Sequence, residues 1–152
     1  HTYHGPKGKR RPNILIRLLQ KVPSWGWWIV NGKTTFTENW DVEACRDMSD
    51  NHIMYGDIAA WFYRWLGGIL PDPDNPGFKR VVLKPGFPEG LDSFSCHHDS
   101  PYGRIISEWS RSGGEITYRV IIPANSTGLL WLPGEDKPVE VSSGHHEFKV
   151  KE

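Results

Sequence analysis

The chain has 152 residues and a mass of 17.4 kDa, room for one ordinary domain or two small ones, so an enzyme built on a large barrel would need further polypeptide to complete it. Its 18 basic and 18 acidic residues cancel to a formal net charge of zero, which excludes a whole-chain pull toward nucleic acid or an acidic membrane surface. Apolar runs fall far short of the roughly 18 residues a membrane span needs, and no charged-then-apolar signal peptide opens the chain. The start at His1 rather than Met is expected for a processed, cloned or truncated N-terminus. Cys45 and Cys96 are too few for a disulfide framework and lack C-x-x-C spacing, so buried spectator thiols are expected. The unusual residue is Trp: of eight, five lie between Trp25 and Trp61, more than a core of this size needs. Indole rings combine a flat apolar face with one donor edge and serve in cores, interfaces and carbohydrate clefts alike.

Residues 1–11 are basic, Gly-containing and without apolar periodicity, and read as an arm or remnant; a phosphate-binding role for Lys7 to Arg11 is the weaker alternative to a solvated tail. After Pro12, Ile14, Leu15, Leu18 and Leu19 form one stripe of a short helix that ends before Pro23. The stretch SWGWWIVNGKTTFTENWD, residues 24–41, has no helical stripe and predicts a short helix or strand pair with a turn at Asn31-Gly32, forming a surface lining rather than a core. A second helix is predicted from Ile53, Ile58, Phe62, Trp65 and Leu66, which share one face, with Ser49, Asp50 or Asn51 as N-cap and Gly67-Gly68 as C-cap. PDPDNPG, residues 71–77, can neither continue a helix nor supply ladder donors and is taken as a domain boundary. Beyond it the period switches to two over residues 78–84, 91–98, 102–110, 115–122, 127–132 and 145–150, with a hairpin at Arg111 to Gly114. Six or seven short antiparallel strands of this kind predict a β-sandwich.

The densest polar and aromatic constellation is TTFTENWD followed by SDNHIMYG, residues 34–41 and 49–56. Glu38, among Phe36, Thr37 and Trp40, is a candidate for acid/base work, although a surface Glu that happens to neighbour aromatics satisfies the same spacing. His52 can hydrogen-bond a ligand hydroxyl or simply satisfy a carbonyl. No G-x-S-x-G elbow, P-loop, dinucleotide fingerprint or H-E-x-x-H is present. His97-His98 and His145-His146 are adjacent pairs on predicted strands, whose side chains point to opposite faces, so no metal site is expected.

PSWGWWI, NGKTTFTENWD, NHIMYGDIAAWFYRWLGGI, GFKRVVLKP, SPYGRIISEW and IPANS, taken together over most of residues 22–133, resemble the C-terminal portion of bacterial α-L-rhamnosidases of glycoside hydrolase family seventy-eight. The resemblance implies a multidomain α plus β chain: residues 12–70 as the last hairpins of an (α/α)6 catalytic barrel, residues 71–77 as a linker, and residues 78–152 as a C-terminal antiparallel β-sandwich. It implies that Glu38, the Glu of T-T-x-x-E-x-W, is the general base of an inverting hydrolysis. It further implies that His52, in N-H-x-M-x-G, bonds the rhamnose hydroxyls. Trp25, Trp27, Trp28 and Trp40 are lining candidates, with Trp40 taken as a substrate contact; core packing is the equal alternative for each.

The general acid of the family belongs to earlier barrel helices that are not among these residues, and Glu43, Asp47, Asp50 and Asp57 sit in no motif resembling it. The isolated chain is therefore expected to have little or no glycosidase activity. The implied partners are a rhamnosylated glycoside or polysaccharide and the remaining catalytic barrel, with no nucleic acid, membrane or cofactor, in a secreted or periplasmic setting. The competing expectation is a non-catalytic module, a sandwich that holds carbohydrate or braces the barrel through Trp109 and Trp131.

Overall fold

The computed structural model describes residues 24–40 and 48–151, which divide into two compact units. The helix expected over Ile14 to Leu19, the N-terminal arm, Glu43, Cys45 and Asp47 lie outside the described residues. The smaller unit comprises, of these, residues 24–40, 48–56 and 88–90; the larger comprises residues 57–87 and 91–151. Among the described residues no helix is long and apolar enough to cross a membrane.

The larger unit contains eight strands: β1 Ile69–Pro71, β2 Arg80–Leu83, β3 Ser93–Ser100, β4 Gly103–Ser112, β5 Glu115–Ile122, β6 Thr127–Leu130, β7 Val139–Val141 and β8 Gly144–Lys151. They form two four-stranded sheets, ordered β1-β2-β6-β7 and β3-β4-β5-β8. Alternation of burial along β5 sends Ile116, Tyr118, Val120 and Ile122 inward and leaves Arg119 in solvent, the period-two pattern of a sheet with one wet face. One hydrophobic core draws Val81, Leu83 and Leu130 from one sheet and Ile105, Trp109 and Tyr118 from the other, which makes the unit a β-sandwich. The hairpin between β4 and β5 turns on Gly113 and Gly114, both at positive φ, as a two-residue loop of the right twist demands.

Three expectations are corrected. The sandwich is not purely antiparallel: β2 and β6 pair in parallel, from Arg80 opposite Thr127 to Leu83 opposite Leu130. Alternation fixes which face a strand buries but carries no information on its direction. Second, β1 and β7 escaped notice because three residues are too short to display a period. Third, the PDPDNPG stretch is no interdomain linker but joins β1 to β2, which pair antiparallel from Ile69 opposite Leu83 to Pro71 opposite Val81. A tight turn and a linker use the same breaker residues. Within the turn, Asp72 is buried and pairs with Arg80 while accepting the Asp74 backbone N–H.

The predicted second helix is three short pieces: a 3-10 turn at Ile53–Asp57, an α-helical turn at Ile58–Trp61 and a π turn at Phe62–Leu66. Its first turn does not share the apolar face, since Ile53 is 88% exposed. At its C-terminal end the carbonyls are satisfied from the sheet: Trp109 Nε1 donates to the Leu66 carbonyl at 2.9 Å and the buried Ser107 hydroxyl to that of Gly67 at 2.5 Å. Burial pushes the Cys96 thiol up to about 11, as expected for a spectator thiol.

Candidate active site

The smaller unit begins with helix α1, Trp25–Val30. Its C-terminal end is closed by Gly32 at positive φ, with the Gly32 N–H donating to the Ile29 carbonyl and the Lys33 N–H to the Trp28 carbonyl, the paired bonds of a Schellman motif. The predicted Asn31-Gly32 turn is thus a helix stop. Spacing 25, 28 places two indoles on one side of this helix, where they meet Trp40 and Tyr55. Trp28 stacks on Trp40 at 4.3 Å between ring centroids, Trp25 meets Trp40 edge-on at 5.4 Å, and Tyr55 lies 4.8 Å from Trp40.

Part of this cluster is core. Trp28 is buried, so its faces are unavailable to a ligand, and the reading of residues 24–41 purely as a surface lining is corrected there. Trp25, Trp27 and Trp40 are half-buried.

The segment carrying Glu38 lies beside the one carrying His52. Two backbone bonds join them: the Glu38 N–H donates to the Ser49 carbonyl at 2.9 Å and the His52 N–H to the Phe36 carbonyl at 2.7 Å. The Thr35 hydroxyl donates to the Asp50 carbonyl, and Lys33 Nζ lies 3.6 Å from Asp50 Oδ1. Ser49 also organises the turn into the next segment, its hydroxyl accepting the Asn51 N–H at 3.1 Å.

This pairing brings Glu38 and His52 together although 14 positions separate them. Glu38 Oε2 accepts the Ser49 N–H at 3.1 Å and lies 4.0 Å from His52 Nδ1. Ser49 therefore grips Glu38 twice, once at its backbone and once at its carboxylate. Among the described residues Oε1 takes no hydrogen bond. The two side chains are 35% and 37% exposed, open enough to be reached from solvent. A carboxylate with one oxygen anchored and the other unengaged can accept a proton from a bound water, and a neighbouring imidazole can exchange hydrogen bonds with a polyol. Trp40, the third predicted site residue, is in the aromatic cluster two positions beyond Glu38.

His97 and His98 fall on opposite faces of β3, the latter packed against Phe78 at 4.4 Å. Trp109, invoked for bracing the barrel, is interior, with its Nε1–H on the Leu66 carbonyl. Sequence reasoning missed Ser49 as the clamp on Glu38 and Thr37 as a buried node; a backbone clamp leaves no residue-type signature.

Residues 68–147, more than half of the chain, match the bacterial alpha-L-rhamnosidase C-terminal domain. The chain belongs to the bacterial α-L-rhamnosidase family. Residues 8–66 match the bacterial alpha-L-rhamnosidase 6 hairpin glycosidase domain, so the two rhamnosidase matches meet at Gly67. An alpha-L-rhamnosidase of Streptomyces avermitilis is 30% identical over 145 residues, covering 90% of this chain and 14% of the relative. One from Formosa agariphila is 30% identical over 133 residues, with shares of 82% and 14%. The crystal structure of the Streptomyces avermitilis alpha-L-rhamnosidase complexed with L-rhamnose superposes with a TM-score of 0.77 at 30% identity, covering 89% of this chain and 16% of that one. The native alpha-L-rhamnosidase of Aspergillus terreus gives a TM-score of 0.77 at 29% identity, with 86% and 16% covered. This rhamnosidase-family chain thus spans about one-seventh of the length of the curated relatives it matches.

Proposed function

We propose that the chain acts as the C-terminal part of an inverting α-L-rhamnosidase, supplying the general base Glu38 and the sugar contact His52, while the general acid comes from barrel helices of the same enzyme that these residues do not include. The helical segments up to Leu66 are, on this reading, the last hairpins of an (α/α)6 barrel. The substrate is a glycoside or polysaccharide with terminal α-L-rhamnose. The observation that carries the reading is the Ser49 clamp, which anchors Oε2 of Glu38 beside His52 and leaves Oε1 for a proton.

In the proposed reaction a water lies between the Glu38 carboxylate and the anomeric carbon. Glu38 takes its proton as the oxygen attacks, and the acid protonates the departing glycosidic oxygen on the opposite side, so the configuration inverts. Inverting enzymes hold the two carboxyl groups about 6.5–9.5 Å apart to leave room for that water. His52 orients the ring through its hydroxyls. Trp40 offers apolar surface to the C–H face and the 6-deoxy methyl of the sugar, an arrangement that suits indole.

Kinetics of Glu38→Gln in an enzyme carrying this segment test the proposal. The amide cannot take the proton, and the expected loss in kcat is about 10²–10⁴-fold with KM little changed. An undiminished kcat would refute the base assignment. The isolated chain, offered an aryl α-L-rhamnoside, is expected to release no phenol.

A further inference from the structure

Thr37 is a buried polar residue at the heart of the smaller unit, 3% exposed. Its hydroxyl makes two short bonds: it receives the Trp28 Nε1–H at 2.7 Å and donates to the Asn39 carbonyl at 2.6 Å. Chemistry fixes both directions. An indole nitrogen can only donate and a carbonyl can only accept, while a hydroxyl has a single proton to give. The indole occupies a lone pair of the Thr37 oxygen, and the hydroxyl proton goes to the Asn39 carbonyl. The bond from Thr37 to Asn39 closes a loop around one residue, and that residue is Glu38. The indole that sets the hydroxyl is buried and stacked on Trp40, two positions beyond Glu38. The backbone around Glu38 is thus held by Thr37 with Trp28 through one set of bonds and by Ser49 through another.

A threonine serving only as filler would be replaced by isosteric valine at little cost. Here valine takes the acceptor from the buried Trp28 Nε1–H and removes the side-chain bond to the Asn39 carbonyl, so one of the ties on the backbone around Glu38 is lost. A general base displaced by about 1 Å loses up to roughly 10²-fold in rate.

We propose that Thr37 is a positioning residue for Glu38, acting with the Trp28 indole as one unit to fix where the carboxylate is presented. The proposal rests on the reading of Glu38 as general base, and its test separates the two. In the full-length enzyme carrying this segment, Thr37→Val is expected to lower kcat by about 10–100-fold with KM changed by less than about threefold, while Thr37→Ser, which keeps the hydroxyl, restores kcat to within about threefold of the parent. Adding Thr37→Val to Glu38→Gln should lower kcat no further, because a residue that works through Glu38 has nothing to position once the base is gone. Trp28→Phe removes the donor while keeping an aromatic ring, and should lower kcat in the same sense even where the valine variant fails to fold.

Four results overturn the proposal: a valine variant with undiminished kcat, a serine variant as slow as the valine one, a full additional loss in the Glu38→Gln background, or an unaffected Trp28→Phe. An undiminished kcat for Glu38→Gln alone removes the base reading and the positioning role with it. A slow Glu38→Gln beside a normal Thr37→Val removes only the latter.

Discussion

The sandwich unit gathers Ile105, Trp109, Tyr118, Leu83 and their neighbours into one interior shared by two sheets, whereas the unit carrying Glu38 leaves Ile29, Val30, Met48, Ile53 and Met54 exposed, Ile29 at 77%. The exposed large hydrophobics of the first unit are Tyr63, Tyr102 and Val139, none above 44%, and its carbonyls at Leu66 and Gly67 find donors in β4. The second has a well-packed aromatic centre around Trp28 but an apolar periphery. Burying one large aliphatic side chain is worth about 1.5–3 kcal/mol, so such a periphery favours association with further polypeptide. The two units thus differ in how they deal with apolar surface: the sandwich gathers it into one interior, and the Glu38 unit leaves much of it at the periphery.

Substitution in the sandwich core has the strongest consequence. Trp109→Ala removes a buried ring and its bond to Leu66, and should lower the unfolding free energy of the sandwich by about 3–5 kcal/mol in urea titrations followed by far-ultraviolet circular dichroism. Trp40→Ala should leave that transition in place; an equal loss would show that the units unfold as one.

Glycine substitutions sharpen the same contrast. Gly68 and Gly32 share a positive φ, but a Cβ on Gly68 would sit 2.1 Å from the Pro85 nitrogen, while one on Gly32 would meet nothing within 4 Å. Gly68→Ala should therefore cost about 3 kcal/mol or more, combining backbone strain with overpacking, and Gly32→Ala only about 1 kcal/mol, by thermal or urea unfolding. Equal costs would mean that the crowding around Gly68 relaxes freely.

A smaller effect on folding, with a larger one on association, is expected from Ile53→Ser. Stability should move by no more than about 0.5 kcal/mol, because the side chain has little burial to lose. Any self-association of the isolated chain through its exposed apolar side chains, measured by sedimentation, should weaken; unchanged association would show that Ile53 takes no part in it.

The smallest effect is on pH dependence. The Arg80 side chain, hydrogen-bonded to Asp72, holds that carboxyl below the ordinary carboxylate range. A carboxyl whose folded-state value is depressed adds stability that is present above its unfolded value, about 3.9, and is lost as the pH falls through the folded value. Asp72→Asn should therefore be less stable than the parent at pH 7, with the gap closing below about pH 4. A gap that does not change with pH would contradict this pairing.

Much of the sandwich was legible because its long strands alternate: β3, β4 and β5 fall within a residue or three of the periodic runs, and the Gly113-Gly114 hairpin announces itself. The short strands β1 and β7 and the parallel register of β2 against β6 were not, since three residues show no period and direction leaves no imprint on alternation. In the candidate site, Glu38, His52 and Trp40 could be named from motif and composition, but their arrangement could not. The contact between Glu38 and His52 depends on backbone bonds across 11 to 16 positions and on a clamp by a main-chain N–H, which any residue but proline could supply at position 49. The buried Trp28 is indistinguishable in sequence from the lining candidates, because an indole that packs and an indole that binds look alike there.

The most direct test of the account is a graft. The C-terminal portion of the Streptomyces avermitilis rhamnosidase that matches this chain is replaced by the chain itself, and hydrolysis of an aryl α-L-rhamnoside is followed with and without Glu38→Gln. The account predicts turnover by the graft and a loss of about 10²–10⁴-fold in kcat on substitution. Equal turnover by the two grafts would contradict it.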